Sequence, residues 1–156
     1  MFPVLAGLAA GSVLLITDVG TGMSTAIATS LGVASINIPF PGSVLVYSGA
    51  AILTDVIYRL LPIPVLLWLI SNVMLRGRGQ QGGFWVFALM TSAIEPVTQA
   101  TALQVLPPAI LMLVLTEIYA VNLLQAYLFR KYGFLSSIVM RLAVYLVWHV
   151  LGEILK

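Results

Sequence analysis

Long apolar runs fill this chain, and short polar stretches separate them. The first run extends from Phe2 to about Thr17, is rich in Gly and Ala, and trails on toward Met23. No basic stretch precedes it, so it reads as a membrane helix rather than a cleaved signal. Residues 18–42 are small and weakly polar and close with Pro39-Phe40-Pro41. That composition predicts a loop or a shallow re-entrant stretch. The second run, from about Ser43 to Leu75, is longer than the roughly 20 residues that span a bilayer. Pro62 and Pro64 are expected to break or kink it, because proline lacks a backbone donor. LRGRGQQGG, residues 75–83, predicts a flexible polar loop. A third segment runs from Phe84 to about Leu106 and contains Glu95-Pro96. A fourth runs from Pro107 to Phe129, its two leading prolines suiting a helix start. Arg130-Lys131 make a tight basic turn, and a fifth segment covers Gly133 to Leu155. No internal repeat stands out, which leaves an inverted-repeat transporter without support. The expected fold is all-α: a polytopic membrane helix bundle of about five transmembrane segments, with residues 1–156 as a single transmembrane domain.

Composition agrees with the pattern. The chain is 61% hydrophobic and 8% charged, against about 25% charged residues in soluble domains. It cannot cover a water-facing surface, so membrane lipid is its first partner. The net charge of +2 is small and scattered, so no nucleic-acid partner is expected. The absence of cysteine excludes thiol catalysis, disulfides and thiolate metal sites. A single histidine, His149, rules out a His-rich metal site within this chain. Arg76, Arg78, Arg130 and Lys131 lie in loops two spans apart and so share one side. The positive-inside rule makes that side cytoplasmic, together with the N-terminus, loop 76–83 and loop 130–132. Trp68, Trp85 and the tyrosines near segment ends fit interfacial belts.

Polar residues inside the runs carry the candidate chemistry: Thr54, Asp55, Arg59, Glu95, Glu117, Arg141 and His149. Ionisable groups at membrane depth mark functional sites, or else internal ion pairs that fix helix packing. Asp55 and Arg59 stand four residues apart on one helix face and can pair. Pairing lowers the burial cost without removing it, since desolvation often exceeds the Coulomb gain. Arg141, Tyr145, His149 and Glu153 recur every four residues as a polar stripe. Pro96 frees a carbonyl one turn back, beside Glu95. Asn122 and Gln125 follow Glu117 and can hydrogen-bond neighbouring helices.

The order of these motifs resembles the CPBP family, the CAAX-protease and bacteriocin-processing intramembrane metalloproteases of Abi type. The resemblance covers about residues 43–155. Where that family carries Glu-Glu-x-x-x-Arg, this chain has Thr54-Asp55-x-x-x-Arg59, followed by LLPIPVLLWLIS. Where the family has Phe-x-x-x-His, FALMTSAIEP places Ile94 or Glu95 near the histidine position. An Asn-containing helix ending in an aromatic, basic, Gly turn is matched by NLLQAYLFRKYGF. The last family motif, His with Asp or Asn four residues on, is replaced by Arg141 and Tyr145. In the family, the glutamates and two histidines hold a metal or activate water on it. Here the first glutamate is Thr54, the second is shortened to Asp55, and both histidines are gone. His149 lies about 12 Å along the helix from Arg141, beyond reach of a centre level with Arg141.

The resemblance therefore implies a degenerate site with no catalytic residue set intact and no cofactor. Arg141 is expected to put a fixed positive charge near the lost metal, paired with Asp55, Glu95 or Glu117, while Arg59 takes another acid. The leading expectation is a non-enzymatic CPBP-like subunit or partner-binding scaffold among other transmembrane proteins, in a prokaryotic cytoplasmic membrane. One alternative is a divergent active intramembrane metallopeptidase holding a divalent metal on carboxylates. Another is a small pigment-, lipid- or quinone-binding subunit with His149 as axial ligand.

Overall fold

A computed structural model describes residues 1–70 and 80–154 of the chain. Arg76 and Arg78, most of the predicted polar loop around them, Leu155 and Lys156 lie outside the described residues. The helices are α1 (Phe2–Thr21), α2 (Met23–Leu31), α3 (Gly42–Asp55), α4 (Pro62–Leu67), α5 (Gln80–Ala100), α6 (Pro108–Tyr132), α7 (Phe134–Tyr145) and α8 (Gly152–Ile154). Wide π-helical turns link α3 to α4 (Val56–Leu60) and α7 to α8 (Leu146–Leu151). Among the described residues there is no strand.

Four stretches are long and apolar enough to cross a membrane: Phe2–Thr21, Gly42–Ile70, Pro108–Tyr132 and Phe134–Ile154. The chain is an integral membrane helix bundle. The sequence predicts about five such segments, and the difference lies in α5. This helix runs beside α6, with the Phe84 ring 6.4 Å from Phe129 at one end and Asn122 bonded to Ser92 midway. Gln80, Gln81, Thr91, Ser92, Glu95, Thr98 and Gln99 lower its hydropathy. The face that carries Thr91, Ser92 and Glu95 is buried, bonded to α6 through Ser92 and to α7 through Glu95, so α5 needs less apolar surface than a helix alone in lipid.

Residues 18–42 hold more helix than a plain loop, and α2 is too short to span. Helix α1 continues through Asp18 to Thr21, and α2 adds nine helical residues, so only Gly22 and residues 32–41 are irregular. Gly22 makes the corner at φ 66°, which an L side chain adopts at a cost. Asp18 then serves as acceptor for the start of α2. Its Oδ1 takes the Ser24 N–H at 2.8 Å and its Oδ2 takes the Ser24 hydroxyl at 2.6 Å. A carboxylate at a helix N-terminus answers both the open N–H groups and the dipole.

Pro62 interrupts the long second span as expected, but the helix widens instead of ending. Leu61 N–H reaches Val56 carbonyl five residues back at 3.0 Å, and α4 resumes at Pro62. Helices α1 and α7 meet along Gly7 and Gly11. A Cβ at Gly11 would lie 2.9 Å from the Val144 carbonyl oxygen, and one at Gly7 would collide with Met140. Small residues four apart let two backbones approach in lipid, where dispersion replaces the hydrophobic effect as the packing force.

The bundle is polar inside and apolar outside. Asp55, Gln125, Ser92 and Ser137 are fully buried, while Leu45 is 80% and Ile16 71% exposed. Apolar clusters lie at both ends of this polar interior. Ile63, Phe84, Ala88 and Ala126 pack toward the Arg130 end, and Met23, Leu103, Leu106, Val114 and Ile118 toward the other.

Candidate functional site

Two ion pairs occupy the middle of the bundle. Arg59 Nη1 donates to Asp55 Oδ1 at 2.8 Å, within one helical run. The same carboxylate oxygen accepts Gln125 Nε2 from α6 at 3.2 Å and the Ser137 hydroxyl from α7 at 3.0 Å. Arg141 binds Glu95 through two parallel bonds, Nη1 to Oε1 at 2.9 Å and Nη2 to Oε2 at 2.7 Å. Bidentate pairing of this kind fixes geometry as well as charge. Gln99 adds a donor to Glu95 Oε1 at 3.3 Å, and Arg141 Nη1 also donates to the Tyr145 hydroxyl at 3.2 Å.

Asn122 joins the pairs. Its Oδ1 accepts from Arg141 Nη2 at 2.7 Å and from Arg59 Nη2. Its Nδ2 donates to the Ser92 carbonyl at 3.1 Å. That carbonyl stands one turn before Pro96, which has no N–H to offer it. The proline thus leaves an acceptor facing α6, and the asparagine amide fills it. Since guanidinium groups only donate, the amide orientation is fixed by its partners.

The charges match: two arginines, two carboxylates, each guanidinium held by an acid. The sequence expectation left three acids open for Arg141, and the structure selects Glu95. Glu117 stands apart, accepting the Thr17 hydroxyl of α1 at 2.6 Å. Thr54, half-buried beside Asp55, makes none of these contacts. His149 lies beyond the network along the helix. Its Nδ1 is 2.9 Å from Asn37 Oδ1, and its ring stacks on Tyr47 at 4.3 Å. Four α-helical residues overshoot one turn by about 40°. The wide turn at Leu146–Leu151, with more residues per turn, offsets that drift and keeps His149 against Tyr145, ring centres 5.2 Å apart.

The metal that the family resemblance implies does not suit this donor set. No group of three His, Cys, Asp or Glu among the described residues is placed to hold one. The two central carboxylates face guanidinium groups that stay protonated and that oppose a divalent cation. A cavity of about 170 Å³ lined by Glu95, Gln99, Arg141, Tyr145, Trp148 and His149 adjoins the network.

Sequence reasoning missed several polar residues here, among them Gln99, Asn37, Ser137 and Asp18. Ser137 lies four residues before Arg141, so the stripe on α7 begins one step earlier than its charged members suggest. Asp18 sits before a Gly22 corner and six residues ahead of the Ser24 it binds, a cap visible only once the corner is recognised. No protein family, curated protein or solved structure matches this chain.

Proposed function

We propose that this chain is a catalytically degenerate relative of the CPBP intramembrane metalloproteases, acting as a non-enzymatic subunit or partner-binding scaffold in a membrane complex. One observation carries the reading. The charged groups that the resemblance aligns with the family's site are paired with each other, Asp55 with Arg59 and Glu95 with Arg141, and Asn122 bridges both arginines. A hydrolytic centre needs an open coordination position or a poised base. Here each carboxylate faces a protonated guanidinium, which opposes both a divalent cation and a free base, and the linked pairs suit an internal brace that holds five helical stretches in register.

The same reading assigns orientation. The Phe2 ring lies 6.2 Å from Tyr132, next to Arg130 and Lys131, so the start of α1 and the basic turn share one end of the bundle. By the positive-inside rule that end is cytoplasmic.

The test is elemental mass spectrometry of the detergent-purified protein beside Asp55→Ala, with native electrophoresis of gently solubilised membranes. The expected results are no stoichiometric divalent metal in either sample and migration well above the 16.7 kDa chain. One metal per chain, lost in Asp55→Ala, would overturn the reading in favour of an active peptidase.

A further inference from the structure

Within the bundle, Asp55 and Glu95 have arginines and Asp18 has the start of α2. Among the described residues, Glu117 has no cation. Its Oε1 accepts one hydroxyl, from Thr17 at 2.6 Å, and among the described residues its buried Oε2 has no hydrogen-bond partner. It lies about 13.5 Å along α6 from Pro108 and about 22 Å from Tyr132, inside a hydrocarbon core about 30 Å thick. A carboxylate at that depth is costly, and such groups characteristically pair.

The carboxylate borders an apolar groove of about 190 Å³ between α1 and α6, lined by Ala10, Val13, Leu14, Ala120 and Leu124. Val13 is 53% exposed on its outer edge. The alanines let a further helix approach closely. Acyl chains at this depth bring no donor to the carboxylate, whose Oε2 is covered by the chain itself and becomes available to a partner when the side chain turns into the groove. A second copy of the chain would bring another Glu117 and no cation in the same groove, so like charge opposes self-pairing.

We propose that this groove docks a transmembrane helix of a partner protein, and that a lysine or arginine within the partner's span donates to Glu117. The proposal rests on the subunit reading above and names its interface. Truncated to an uncharged side chain, Glu117 no longer holds the partner's cation.

The test places a photo-crosslinking benzophenone amino acid at Val13 in the full chain, in the membranes of its source organism. A second probe at Leu45, 80% exposed on α3, reports on another face. Irradiation of the Val13 probe is expected to yield an adduct whose peptide is a membrane span containing Lys or Arg. Glu117→Leu is expected to cut that adduct at least tenfold. Ala120→Trp, which fills the groove and keeps the Glu117–Thr17 bond, does the same if Glu117→Leu fails to fold. Adducts with lipid or with the chain itself, a captured span without a cation, or an adduct indifferent to both substitutions would overturn the proposal. Protein capture from Leu45 alone would sink the groove and leave the subunit reading standing. Absence of protein adducts from both probes would sink both.

Discussion

Asn122 is uncharged, yet the polar centre depends on it. Its Oδ1 lies between two guanidinium groups whose charges repel, and its Nδ2 ties them to α5 through the Ser92 carbonyl. The four charged partners act as one unit, so their contributions are not additive. Glu95→Leu leaves Arg141 buried and unpaired, and Arg141→Met leaves Glu95 so. Each is expected to destabilise the bundle by about 3–5 kcal/mol, the range for breaking a buried pair. The double substitution removes both charges and is expected to recover most of that loss, since an apolar replacement of similar volume is often neutral or stabilising. Unfolding in mixed micelles measures all three proteins. Additive losses would show that the pair is not coupled. The pairing was partly legible in sequence: Asp55 and Arg59 stand one turn apart, and two buried arginines demand acids. The choice of Glu95 over Glu117 was not, because both lie mid-helix and only the packing of α5 and α6 turns Glu95 toward Arg141 and Glu117 toward Thr17 of α1.

At the scale of the helix, the seam between α1 and α7 sets how tightly the bundle closes. Gly7 and Gly11 face backbone, not flexible side chains, so an added Cβ has nowhere to go. Gly11→Leu is expected to cost about 1–3 kcal/mol through overpacking and to lower the melting temperature in detergent. Ser12→Leu, on an exposed position next to it, is the control and is expected to change little. The Gly- and Ala-rich composition of the first segment signals close helix packing. It does not say against which helix, and the structure answers with a helix of the same chain. The π turns belong to this scale too. Pro62 predicts an interruption, but whether the helix ends or widens depends on what holds it on both sides. Here Arg59 sits in the wide turn, anchored to Asp55 behind it and Asn122 across the bundle.

For the whole molecule, orientation is the testable property. The chain has no cysteine, so single-cysteine variants report without background. Under the cytoplasmic assignment of the basic end, Lys131→Cys is expected to react with a membrane-impermeant maleimide only after the cytoplasmic face is opened. Ser30→Cys, exposed in α2 at the opposite end, is expected to react from outside. The reverse pattern would invert the topology.

The sequence by itself determined the class of molecule, because apolar runs of bilayer length and a near absence of charge leave no other solvent for this chain. It also determined that the buried charges must find each other, since hydrocarbon offers them nothing else. Tertiary structure alone decided the partners. A carboxylate's fate depends on which helix face turns inward, and that follows from Gly7 and Gly11 seating α1 on α7 and from Asn122 registering α6 against α5. It also decided that α5 is a polar helix sheltered by its neighbours, because shelter is a property of the bundle and not of any segment read alone.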